Sequence, residues 1–201
     1  YSAAIAACEK GGEWQLALRL LCEMRCQRVA PDVVSHNGAV SACEKGKRWA
    51  WSLQLLGEVF SSGLMPDVVT YNAAASACGK GQQWHRVLSL QDQMDRTSIT
   101  ATVITYSAVV SAFEKGKHWE GAFRLLGQMR RCGVVPNAIT YNAAISACEK
   151  CQQWAGALVL LEEMWHSSIA PDTGTYNAAT SACEKGQQWQ GALRLLAEMR
   201  C

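Results

Sequence analysis

An aromatic residue returns every 35 positions along the 201-residue sequence, as Tyr1, His36, Tyr71, Tyr106, Tyr141 and Tyr176. Trp14, Trp49, Trp84, Trp119, Trp154 and Trp189 keep the same interval, as do Lys10, Lys45, Lys80, Lys115, Lys150 and Lys185. A fixed period of this length predicts a stack of supersecondary elements, each burying its apolar face against its neighbours. The expected organisation is one array with repeats at 1–35, 36–70, 71–105, 106–140, 141–175 and 176–201, the last incomplete. The sequence opens at Tyr1 without a methionine and breaks off inside a repeat at Cys201, which reads as an excerpt of a longer array.

Within a repeat, Tyr71, Ala74, Ala75 and Cys78 fall at i, i+3, i+4 and i+7, one face of a helix. Ala7, Ala42, Ala77, Ala112, Ala147 and Ala182 hold one slot of that helix and permit close approach of a neighbour. Gly11, Gly46, Gly81, Gly116 and Gly186 follow the lysine, as expected of C-terminal helix caps, with Cys151 in their place once. Trp14, Ala17, Leu18, Leu21 and Met24 then line one face of a second helix. Pro31-Asp32, Pro66-Asp67, Pro136-Asn137 and Pro171-Asp172 end the repeat, the proline stopping the helix and the next residue turning the chain. The third connection, Ile99-Thr100-Ala101-Thr102, has no proline, and Gln91 stands there where the other repeats have leucine. The expected fold is all-α: an α-solenoid of stacked helix-turn-helix repeats, about twelve helices and no strand. The tryptophans read as packing between hairpins.

Ten cysteines could suggest disulfides, yet Cys8, Cys43, Cys78, Cys148 and Cys183 share a slot that Phe113 fills in the fourth repeat. A slot that accepts phenylalanine is apolar packing, and a reducing compartment follows. Cys22, Cys26, Cys132 and Cys201 lie outside it. No apolar stretch is long enough to span a bilayer, so no membrane helix is expected. The net charge of +2 is small for a polyanion binder, but one lysine per repeat at a fixed place forms a stripe able to follow a phosphate backbone. The same lysines also suit a helix C-terminus. His118-Trp119-Glu120 with Cys148-Glu149-Lys150-Cys151 imitates the two halves of a zinc deaminase motif. The repeat accounts for each of these residues, so no metal, cofactor or catalytic residue is expected.

The repeat length, the Tyr-Asn opening of the first helix, the glycine-broken hairpin, the Glu-Met close of the second helix and the Pro-Asp exit together resemble the pentatricopeptide repeat family. The resemblance covers the whole sequence and implies a right-handed superhelix that binds single-stranded RNA, about one base per repeat. By that resemblance the residue after the aromatic and the residue after the proline select the base together. The pairs are Ser2 with Asp32, Asn37 with Asp67, Asn72 with Thr102, Ser107 with Asn137, and Asn142 with Asp172, leaving Asn177 alone. An ionised Asp only accepts and suits the imino N–H of uracil or guanine, whereas Asn can donate to the bare ring nitrogen of adenine or cytosine. The implied reading, 5′ to 3′, is G, U, a pyrimidine, A, U and a pyrimidine. Val34, Val69, Ile104 and Ile139 would pack between bases, Gly174 breaks that series, and the six periodic lysines would meet phosphates. Helix capping and turn formation are ordinary roles for the same Asn, Ser and Asp residues. The family implies a monomeric adaptor in RNA processing, stability or translation in a mitochondrion or plastid. The competing class is a helical scaffold for RNA-processing or ribosomal proteins.

Overall fold

The computed structural model describes residues 1–97 and 99–199, so Cys201 lies outside the described residues. Twelve helices follow one another, and no strand occurs among the described residues. They are α1 (Ser2–Gly11), α2 (Trp14–Cys26), α3 (Val33–Lys45), α4 (Trp49–Ser61), α5 (Val68–Lys80), α6 (Trp84–Arg96), α7 (Val103–Lys115), α8 (Trp119–Arg131), α9 (Ala138–Lys150), α10 (Trp154–His166), α11 (Thr173–Lys185) and α12 (Trp189–Glu198). They form two compact bodies, Tyr1–Ala112 and the remainder from Phe113. In the first body α1 packs on α3 and α3 on α5, while α2 and α4 each pack on the odd-numbered helices to either side. In the second body α9 packs on α11, and α10 touches both.

From α3 onward the odd-numbered helices begin three residues before the aromatic rather than at it. Asp32, Asp67, Asn137 and Asp172 are N-caps whose side chains accept from the backbone N–H of Ser35, Thr70, Thr140 and Thr175 at 2.8, 2.9, 2.9 and 2.8 Å. Each such cap is worth about 1 kcal/mol. Thr70 and Thr175 complete capping boxes by accepting from the backbone N–H of Asp67 and Asp172. The aromatic therefore sits in the second turn, where its ring is buried: Tyr71, Tyr141 and His36 are almost fully enclosed.

Gly46, Gly81 and Gly186 are the C-caps of their helices, though not in the left-handed conformation. Gly46, Gly81 and Gly186 have φ of −74°, −85° and −85°. The left-handed residue is the next one, Lys47, Gln82, Lys117, Gln152 or Gln187, with φ between 53° and 60°; only in the first repeat is it a glycine, Gly12. The reason for glycine is steric. A Cβ on Gly46, Gly81 or Gly186 would lie 2.5, 2.3 or 2.3 Å from Cδ1 of Trp14, Trp49 or Trp154. The tryptophan opening one hairpin's second helix thus rests on the end of the next hairpin's first helix, and Arg48 adds its guanidinium 4.9 Å above the Trp14 ring. Trp14, Trp49 and Trp154 thus pack between hairpins, Trp84 and Trp119 are also half-buried, and Trp189 of the sixth repeat is 65% exposed.

The small slots behave as the period requires. Ala42, Ala77, Ala112, Ala147 and Ala182 are fully buried, as are Cys43, Cys78, Cys148 and Cys183, with Phe113 in the fourth repeat. The buried cysteines are free thiols. Burial pushes Cys43 and Cys78 up to about 11 and Cys148 up to about 12, so they stay protonated. Gln91 is buried in its leucine slot.

Candidate nucleic-acid interface

The residues expected to select bases gather at the N-terminal turns of the odd-numbered helices. Asn37, the fifth residue of α3, donates through Nδ2 to both carboxylate oxygens of Asp67, at 3.1 and 3.0 Å. The hydroxyl of Thr70 lies between them, in reach of Asn37 Oδ1 and 2.9 Å from Asp67 Oδ1. The arrangement recurs in the second body, where Asn142 Nδ2 donates to Asp172 Oδ2 at 3.1 Å and Thr175 Oγ1 lies 2.6 Å from Asn142 Oδ1. Ser2 and Asp32 are joined through Ser35, whose Oγ is 3.0 Å from Ser2 Oγ and donates to Asp32 Oδ1 at 2.6 Å.

The third pair differs. Thr102 cannot offer a carboxylate, and Thr105 engages it instead, with the two hydroxyls 3.3 Å apart. Asn72 Oδ1 is left buried without a hydrogen-bond partner among the described residues. Ser107 belongs to the first body and Asn137 to the second. Asn177 is exposed on α11.

The carboxylates are held ionised. Hydrogen bonds from the hydroxyl and backbone N–H of Ser35 lower Asp32 below its ordinary value, and those from the backbone and hydroxyl of Thr175 lower Asp172. Burial pushes Asp67 up, but the bonds from Thr70 and Asn37 outweigh it and the net shift is downward. Each Asn–Asp pair therefore sets an amide donor beside an ionised carboxylate acceptor. A donor and an acceptor side by side match the edge of a nucleobase.

Beside these pairs stand Val34, Val69, Ile104 and Ile139, 66, 56, 68 and 64% exposed in the first turn of their helices. Aliphatic side chains this open at one repeat position each provide an apolar shelf beside the polar groups of their own helix. Gly174 is exposed and adds nothing to the shelf.

Most of the lysine stripe is neutralised. Lys80, Lys150 and Lys185 donate to Glu44, Glu114 and Glu149 of the preceding repeat at 2.7, 2.7 and 2.8 Å, and Ser76, Ser146 and Ser181 bind the same carboxylates. Lys45 reaches the Glu9 carbonyl at 3.0 Å and its carboxylate at 3.4 Å. These glutamates and serines escaped the sequence reading, although the Glu-Lys dipeptide recurs at 9–10, 44–45, 114–115, 149–150 and 184–185. Lys10 and Lys115 are exposed, with no ion-pair partner among the described residues.

Of the deaminase-like residues, His118 caps α8 by accepting from Gly121 N–H, and Cys148 is buried. No described helix is long and apolar enough to cross a membrane.

The sequence matches three family models: the PPR repeat family at residues 101–150 and 136–185, the pentatricopeptide repeat domain at 54–116, and the PPR repeat at 1–29 and 174–201. No curated protein matches it. Its fold is similar to the crystal structure of the pentatricopeptide repeat protein PPR10 from maize, with a TM-score of 0.76 and 26% identity. That match covers 100% of this chain and 29% of the maize chain. PPR10 in complex with an 18-nt psaJ RNA element superposes with a TM-score of 0.71, again at 26% identity over 100% of this chain and 28% of the other. The PPR domain of Arabidopsis thaliana protein-only RNase P 1, in complex with tRNA, shares the fold at 18% identity and a TM-score of 0.70, covering 80% of this chain and 85% of that one.

Proposed function

The chain belongs to the pentatricopeptide repeat family, and from that premise we propose that it binds single-stranded RNA sequence-selectively, about one base per repeat. The observation that carries this reading is the Asn–Asp pair of the second and fifth repeats, held side by side next to an exposed aliphatic residue. Uracil offers a carbonyl acceptor next to its imino N–H donor. The asparagine N–H serves the first and the ionised aspartate accepts from the second, while Val69 supports the ring of the base at the second repeat. Cytosine presents a bare ring nitrogen where uracil has N–H, and a carboxylate repels it.

The other repeats follow by family analogy: guanine at Ser2 and Asp32, either pyrimidine at Asn72 and Thr102, adenine at Ser107 and Asn137, and a pyrimidine at Asn177. Thr102 fits both pyrimidines because a hydroxyl either donates or accepts. The maize relative in complex with an RNA element supports RNA as the ligand class. The chain acts as an adaptor in a mitochondrion or plastid, and its RNA-processing or ribosomal partners supply the chemistry. Filter binding of an RNA carrying G, U, C, A, U, C against the same bases shuffled, at two salt concentrations, tests the reading. Preference for the ordered sequence is expected, and equal binding of the two would overturn it.

A further inference from the structure

From the second repeat onward the residue just before the aromatic carries a hydroxyl: Ser35, Thr70, Thr105, Thr140 and Thr175. All of them are buried. A buried hydroxyl costs free energy unless it is hydrogen-bonded, and a valine would fill the same space without that cost. At Thr70 and Thr175 the capping carboxylate takes the backbone N–H, and the capping box uses the hydroxyl oxygen only as an acceptor. The hydroxyl proton is left for another task.

That proton goes to an asparagine. In the fifth repeat Thr175 Oγ1 is 2.6 Å from Asn142 Oδ1 and 2.9 Å from Asp172 Oδ1. The carboxylate oxygen already accepts from Thr175 N–H at 2.8 Å, whereas the amide oxygen has no other donor among the described residues. Thr70 stands in the same relation to Asn37 and Asp67. An amide oxygen only accepts and an amide nitrogen only donates, so a hydroxyl on the oxygen fixes which way round the amide lies, with its N–H toward the carboxylate. The third repeat lacks this hold: Thr105 engages Thr102 instead, and Asn72 Oδ1 is buried without a hydrogen-bond partner among the described residues.

Resting on the RNA-binding reading above, we propose that the hydroxyls of Thr70 and Thr175 are positioning groups for base selection, which hold the amides of Asn37 and Asn142 against Asp67 and Asp172 and so exclude cytosine. Without the hydroxyl the amide can turn from the carboxylate and donate to the bare ring nitrogen of cytosine. The third repeat accepts either pyrimidine for this reason as well as for its missing carboxylate.

The test is Thr70→Val, which keeps the shape of the side chain and the capping N–H and removes the hydroxyl. Affinities for labelled G, U, C, A, U, C and for the same RNA with cytosine at the second base are compared by fluorescence anisotropy. The preference for uracil should fall about fivefold, the weight of one neutral hydrogen bond. Thr70→Ser should restore it, since the serine hydroxyl of Ser35 lies between Ser2 and Asp32 in the same way. Melting curves confirm that each variant is folded. A hydroxyl with a purely structural role would weaken both RNAs equally, so an unchanged ratio in Thr70→Val, or a ratio that Thr70→Ser does not restore, overturns the proposal. The Asn37 side-chain amide is followed without RNA by NMR relaxation. Its order should fall in Thr70→Val and recover in Thr70→Ser, and unchanged order overturns the anchoring. An original chain with no preference at the second base sinks the base reading itself, and the amide measurement still decides whether the hydroxyl holds the asparagine.

Discussion

Replacing Gly81 by alanine adds a single methyl group at a place where the backbone tolerates it. With φ of −85°, Gly81 already has a conformation any residue adopts, and an alanine there restricts the unfolded chain, a gain of about 0.4–1 kcal/mol. Against this, the new Cβ would lie 2.3 Å from Cδ1, 2.8 Å from Cγ and 3.2 Å from Nε1 of Trp49. Carbon atoms pack at about 3.5–4.0 Å, so the indole must retreat by more than 1 Å from the face it covers. Overpacking of this kind costs about 1–3 kcal/mol, which leaves a net loss of about 1–2 kcal/mol. The mechanism is separable by a double-mutant cycle with Trp49→Ala, in which the obstacle is gone. In that background Gly81→Ala should become neutral or slightly stabilising. Urea unfolding followed by far-ultraviolet circular dichroism gives the four stabilities. A Gly81→Ala cost that persists undiminished without Trp49 would refute the claim that the tryptophan requires the glycine.

Two more predictions concern the caps. Gln152 has φ of 60°, and a non-glycine residue in the left-handed region costs about 1 kcal/mol, so Gln152→Gly should raise stability by about that amount in the same unfolding assay. Asp32, Asp67 and Asp172 have carboxyls lowered from 3.8 in the folded chain. Their contribution to stability is present above that pH and is lost as pH falls through the lower folded values. Melting temperature should therefore drop below about pH 4, and Asp67→Asn, which keeps a capping acceptor but does not titrate, should flatten part of that drop.

The period made the hairpins and their cores legible, because Tyr, Ala, Cys, Trp, Leu and Met recur at spacings that only two helices per repeat satisfy. Three details were not legible, each because its cause lies in an adjacent repeat or in a local hydrogen bond. Capping was a recognised role for Asp67, but that it starts α5 three residues ahead of the aromatic, by accepting from Thr70 N–H, was hidden. Gly46 and Gly81 are the C-caps the sequence suggested, but the reason for glycine there, a tryptophan more than thirty residues earlier, was hidden. The lysines read as a uniform stripe, since charge pairing 36 residues away is invisible until the hairpins are stacked. At the candidate interface Asn37 donates to Asp67, and the threonine that links them was the unseen part.

If the Asn and Asp at the two ends of one repeat read a base edge together, Asp172→Asn should change the base that the fifth repeat prefers. Asn137 shows that an asparagine caps the same helix position, accepting from Thr140 N–H at 2.9 Å, so the fold is kept while an obligate acceptor becomes a donor. Binding should be measured for RNAs that differ only at the fifth base. The original chain should prefer uracil there and the variant should prefer cytosine; a variant that keeps the uracil preference, or an original chain that shows none, would contradict the account.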